Sequence, residues 1–147
     1  MRAAWIGGVG LVAALGVLLV VVDPEQSDGP DVSAWEDPTA YRFVVEGSCG
    51  ETSLSGRWGI AVEDGEVAEL TDLTGLFDPP EQSPEMGMTI AELLALAEEA
   101  EEEGADVVEV DYAEEDPARP ETITVDYDTN AIDDEMCYRI SDYAPGS

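Results

Sequence analysis

The chain contains no histidine and no lysine, and its five basic residues are all arginines, set against 35 aspartates and glutamates. Without imidazole or amine there is no Ser–His or Cys–His nucleophile pair, no lysine Schiff base and no histidine to complete a zinc site. A formal net charge of -30 repels phosphate polymers and anionic lipid headgroups, which argues against nucleic acid as a partner. Cysteine stops at two, Cys49 and Cys137, with no metal-ligand spacing. No internal repeat is visible.

The most informative feature present is the run from Ala3 to Val22, which has no charged, amide or hydroxyl side chain. About 20 apolar residues at 1.5 Å rise cover the roughly 30 Å hydrocarbon core of a bilayer, and Arg2 supplies a positive cytoplasmic flank. The expectation is a single transmembrane anchor or uncleaved signal over residues 1–22, with the lipid bilayer as partner of residues 3–22. The remainder would then stand outside the cytoplasm at the cell membrane. A cleaved signal peptide is the competing reading. The apolar run is longer than such regions usually are, no Ala-x-Ala site follows, and the run ends at Asp23 and Pro24. Gly10 and Ala14 are four apart, a spacing that lets helices approach but is common in any such segment. Residues 23–34 have little to bury and read as a flexible tether. Residues 35–147 make one domain.

In dilute buffer this much like charge opposes compaction, whereas at molar salt the Debye length falls to about 3 Å and the repulsion largely disappears. The acidity therefore reads first as a solvated surface adapted to salt. In an exported domain the two cysteines read as a disulfide, with two unpaired buried thiols as the alternative.

Periodicity sets the fold class. Tyr41, Phe43 and Val45 alternate with Arg42, Val44 and Glu46; Trp58, Ile60 and Val62 alternate before the Asp64-Gly65 turn; and 66–70 can continue as a short strand. Trp35, Glu36, Pro38 and Thr39 form a short turn or helix leading in. After a proline-rich connection over 78–88, Thr89 and Glu92 form a capping box. Ile90, Leu93, Leu94 and Ala97 share a helix face, and Gly104 ends it. Strands follow at 108–112, 123–127 and 137–143. The expectation is α+β, a largely antiparallel sheet of about five strands packed by one main helix. If the last strand runs antiparallel to the first, Cys137 falls beside Cys49.

The run Pro120-Glu121-Thr122-Ile123-Thr124-Val125-Asp126-Tyr127-Asp128, then Asn130 to Glu135 and Tyr138-Arg139-Ile140, resembles the domain of unknown function 6174 family. So does the upstream order of Trp35, Tyr41 to Val45, a cysteine, Val62 to Val67 and the helix opening Thr89 to Leu93. The resemblance covers about Trp35 to Tyr143, and its most specific piece is Asp133-Asp134-Glu135. It implies bacterial exported proteins, often anchored, with no established activity. Two departures stand out: Ala118-Arg119 replaces a Gly-Tyr before the proline, and the lipid-attachment cysteine of many relatives is missing.

The sharpest chemical hypothesis is calcium. Asp126, Asp128 and Asn130 place three oxygens on one side of a loop, and Asp133 or Asp134 can add to them. Against this, Ala131 stands where an EF-hand needs glycine and Cys137 where it needs a bidentate glutamate. The alternative is a solvated turn whose Asp and Asn side chains bond local backbone groups. In that picture Ile132 plugs the core beneath, and Asp133, Asp134 and Glu135 face water or cap amides. A hydrolase using paired carboxylates, such as Glu36 with Asp134, has no motif to support it. Trp35, Trp58 and the tyrosines read as core, with a ligand-stacking surface as the alternative. The expected role is binding or structural, at the cell envelope, without resident cofactor and with an unknown envelope protein or ligand as partner.

Overall fold

The computed structural model describes residues 35–146 apart from 51, 53 and 77–81. The expected transmembrane segment and the tether lie outside the described residues. Among those described, no helix is long and apolar enough to cross a membrane.

Six strands form one antiparallel sheet: β1 Ala40–Cys49, β2 Gly56–Glu63, β3 Glu66–Asp72, β4 Val107–Ala113, β5 Asp116–Asp126 and β6 Glu135–Pro145, in the spatial order β3-β2-β1-β6-β5-β4. The fold is α+β as the alternation implies, with the short segment after Gly65 forming a full strand and bringing the number to six. Residues 35–38 run without regular structure instead of forming a helix.

Strands β3 and β4 are opposite edges of the sheet, so the chain between them must cross one face. The helix α1, Ile90–Glu103, makes that crossing. Its 14 residues span about 21 Å, close to the roughly 24 Å width of six strands spaced 4.8 Å apart. It starts over β1, where Ile90 meets Tyr41, and packs on β4 and β5. Both ends are fixed locally. Thr89 Oγ1 accepts the Glu92 amide at 3.1 Å and Glu92 Oε2 accepts the Thr89 amide at 2.7 Å. Gly104 takes the left-handed conformation that lets the Ala105 amide reach back to the Ala100 carbonyl at 2.9 Å.

Ile90, Leu93, Leu94, Ala97 and Ala100 bury against Phe43, Val45, Ile60, Ile123, Val125 and Ile140 from the covered face of the sheet. The other face is open. There Arg42, Glu46, Arg57 and Arg139 project between the buried positions.

Two irregularities explain where periodicity misleads. Strand β5 begins at Asp116, well before Ile123, and carries Pro117 and Pro120. Its pairing with β6 begins only at Thr122, so the missing proline donors fall where only β4 is a neighbour. In β6 an extra residue opposite β1 puts Asp142 in the left-handed region at φ 51° and sends Tyr143 back to the covered face, beside Trp35 and Tyr41. Strand β5 ends at Asp126, so Tyr127 is exposed and does not join the core.

Candidate functional site

Strands β1 and β6 pair with Tyr41 opposite Pro145 and Cys49 opposite Cys137. That register gives the domain two ends. The chain enters at one, and the Cys49–Cys137 disulfide, with Cα atoms 5.3 Å apart, closes the other. Glu36 precedes β1 and Asp134 precedes β6, so the length of the sheet separates them and they form no catalytic pair.

The loop between β5 and β6, residues 127–134, stands at the disulfide end. Its carboxylates do not converge as an EF-hand opening would. Asp128 Oδ1 is committed to the Asn130 amide at 2.9 Å and the Asn130 side chain at 3.1 Å, an Asx turn that holds the Asp128 carboxyl below the usual carboxylate range. Asp106 Oδ2, from the end of the helix connection, accepts the Thr129 amide and hydroxyl at 3.0 and 3.1 Å. Asp133 is exposed, with φ 72°. That left-handed turn throws Ile132 outward, where it is 86 % exposed instead of plugging the core.

Asp126 and Asp134 do come together. One Oδ1 of each is sealed from solvent without a hydrogen-bond partner. Desolvation, followed by the charges of Asp134 and Glu135, pushes the Asp126 carboxyl above its ordinary value, although the Asp128 amide pulls it back. Of the five oxygen ligands expected from the sequence, the structure therefore joins two and uses Asp128 and Asn130 on each other. Among the described residues no group of three or more cysteine, aspartate or glutamate side chains is placed to hold a metal ion.

At the opposite end is a cluster that sequence reasoning missed. Asp37 Oδ1 accepts the Trp35 indole N–H at 2.5 Å and the Tyr41 hydroxyl at 2.8 Å. The Tyr41 and Tyr143 rings lie 5.9 Å apart, and Trp35 meets both edge-on. Arg119, 7 % exposed, forms an ion pair with Glu115 and lays its guanidinium 5.3 Å from the Tyr143 ring centre. Burial is what raises the Tyr143 phenol, and Arg119 opposes the shift. The cluster holds the incoming chain to the sheet. Nearby, Glu66, Glu85 and Glu92 line an open groove of about 430 Å³ between the β2–β3 hairpin and the 3₁₀ turn Pro84–Met86.

A family model described as a family of unknown function, DUF6174, matches residues 32–145. The chain belongs to the DUF6174 family. Its match covers every strand of the sheet, the helix and both cysteines. Comparison with curated proteins finds no match for this DUF6174 domain, and comparison with solved structures finds none.

Proposed function

We propose that this DUF6174 domain is a non-catalytic binding or structural module, displayed outside the cytoplasm on an N-terminal membrane anchor and adapted to a salty medium. The observation that carries the reading is the Cys49–Cys137 bridge, since cytoplasmic reductants keep thiols apart and exported domains keep disulfides. The uncharged run from Ala3 to Val22 supports the same compartment, and the surplus of carboxylates supports the salt. A non-catalytic role rests on the chain's composition and on the separation of Glu36 from Asp134. Of the three glutamates lining the groove by the 3₁₀ turn, Glu66, Glu85 and Glu92, the last is already tied to the helix cap. A reporter fused behind Ser147 tests the location: the expected result is activity only outside the cytoplasm, and activity only inside overturns it.

A second reading, a divalent-cation module, is favoured by the unpartnered Asp126 and Asp134 oxygens. A calcium ion shared by these two carboxylates, with water completing its shell, would satisfy both. Melting with calcium, magnesium or EDTA at constant high ionic strength decides it. A shift selective for calcium is expected from a site, whereas a salt-adapted surface responds to monovalent salt as well.

A further inference from the structure

The helix α1 crosses the covered face of the sheet from Tyr41, at the entry end of β1, toward β4 and β5. In the corner it leaves bare, at the entry end of β6, Trp35 lies edge-on to the rings of Tyr41 and Tyr143, at 6.1 and 5.9 Å. The floor of this seat is held without Trp35. Tyr41 is 1 % exposed, stacks on Phe43 at 5.7 Å and accepts the Ile90 amide through its hydroxyl. The Arg119 guanidinium lies over Tyr143.

Trp35 itself is weakly tied. It is the first described residue, it joins no strand or helix, and it stays partly exposed at the margin of the core. Its indole N–H donates to Asp37 of its own segment, and that carboxylate also accepts the Tyr41 hydroxyl. Among the described residues, no backbone hydrogen bond holds residues 35–38 to the sheet. The first ones come just beyond: the Asp64 amide donates to the Thr39 carbonyl and the Gly146 amide to the Ala40 carbonyl, each at 2.7 Å. The chain therefore has a hinge at Pro38 and Thr39. Residues 35–38 can swing off as a unit by giving up the ring contacts and the bond from Tyr41 to Asp37. The sheet, the helix and the floor of the seat stay in place.

We propose that Trp35 is a removable latch over an aromatic binding seat, and that the seat takes in its place an indole side chain presented by a partner protein. The ligand chemistry follows from the present occupant: two phenol rings beside a guanidinium receive an indole edge-on. The latch competes for the seat in cis, so a ligand's apparent affinity falls by the fraction of chains in which the latch is open. Release also lengthens the connection to residues 1–34 by the four residues 35–38, roughly 13 Å. The seat deepens the binding role proposed above and rests on that reading for its purpose, yet its test measures binding wherever the chain resides.

The experiment uses the full chain in detergent at molar salt, with N-acetyl-tryptophanamide as probe. Trp35→Ala empties the seat and leaves its floor intact, so this variant should melt cooperatively and gain melting temperature with the probe. Wild type, its seat filled, should need at least about tenfold more probe for the same gain, the ratio for a latch open in about one chain in ten or fewer. Tyr143→Leu added to Trp35→Ala should abolish the response. Absence of a shift overturns the proposal, as do an equal shift in wild type and a shift that survives Tyr143→Leu. A Trp35→Ala chain that does not fold overturns it too, because a latch able to leave is not required by the fold. Chymotrypsin gives a second measurement on wild type under native conditions. Cleavage after Trp35 should proceed through local opening, at a rate left unchanged by Gly65→Ala, which strains the β2–β3 turn at φ 80° and lowers global stability. A cleavage rate that rises in step with global unfolding removes the latch.

Discussion

The Tyr41 hydroxyl accepts the Ile90 amide N–H at 3.0 Å, tying the second residue of β1 to the first turn of α1 across 49 positions of sequence. The same hydroxyl donates to Asp37 at 2.8 Å, so one oxygen links the incoming chain, the central strand and the helix. The Ile90 amide is one of the four helix donors that no helical carbonyl can satisfy. Tyr41→Phe keeps the ring packing on Phe43 and Tyr143 but strands that donor in a buried position. The expected cost is about 1–3 kcal/mol, read from urea denaturation at molar salt. A smaller effect would mean that water replaces the hydroxyl.

Tyr41 also predicts an alkaline limb of stability. Burial, the largest cause, and the nearby Asp37 charge push its phenol well above the ordinary value. The folded state thus holds the proton more tightly than the unfolded chain. Its contribution is complete below the ordinary tyrosine value of about 10 and is lost as pH rises beyond it, because the unfolded state ionises first. The wild-type chain should lose stability above that pH more steeply than Tyr41→Phe does, and parallel curves would refute the assignment.

The disulfide joins residues 88 positions apart at the end of the sheet opposite the incoming chain. In the chain-entropy picture its removal costs about 4.5 kcal/mol. Replacing both cysteines by serine should lower the urea midpoint accordingly, while denatured, unreduced wild type should show no free thiol among Cys49 and Cys137. Two reactive thiols in that assay would remove the bridge from the molecule.

Beside the bridge, Gly50 has φ 60°, and a Cβ there would stand 1.9 Å from the Glu135 carbonyl oxygen. Gly65, in the β2–β3 turn, has φ 80° with nothing within 4 Å. Alanine at Gly65 meets only the backbone penalty of about 1 kcal/mol. At Gly50 it must also push apart the start of β6, so the cost rises to about 2–4 kcal/mol. Paired unfolding measurements on Gly50→Ala and Gly65→Ala check the difference, and equal losses would show that β6 yields at no cost.

What the sequence made legible was local. The capping box of Thr89 and Glu92, the stop at Gly104 and the inward stripe of α1 each depend on residues a turn apart, and all appear as expected. The pairing of Cys49 with Cys137 was readable because it needed only one further assumption, that the last strand runs against the first. The opening of β5 was hidden by Pro117 and Pro120, which count against a strand until one sees that β6 does not pair with that stretch. Ile132 was misplaced because its direction follows from the left-handed turn at Asp133, not from its own apolarity. Arg119 gave no signal at all. Its burial depends on Glu115 and on Tyr143, and Tyr143 faces inward only because of the extra residue in β6.

The β5–β6 loop sets two carboxylates in opposite electrostatic circumstances, which yields a last prediction. Asp128 is held below its ordinary value, first by the Asn130 amide, so it stabilises the fold above the ordinary aspartate range and that contribution is lost as pH falls through its lowered value. Asp126 is pushed upward, first by desolvation and then by Asp134 and Glu135. Its folded form holds the proton more tightly, so its contribution is favourable at low pH and is lost as pH rises through its raised value. Asp126→Asn keeps an oxygen for the Asp128 amide, removes one of the crowded charges, and offers an N–H to the unpartnered Asp134 oxygen. The variant should therefore melt above wild type at neutral pH, and the gain should shrink to nothing below the ordinary carboxylate range, where Asp126 is protonated anyway. Asp128→Asn should do the reverse, melting below wild type at neutral pH. Melting curves of the two variants against wild type, at fixed molar salt across acid to neutral pH, make the comparison. If Asp126→Asn lowers the neutral-pH melting temperature, ionised Asp126 is stabilising the fold through a bound cation, which the same curves repeated with calcium and with EDTA would reveal.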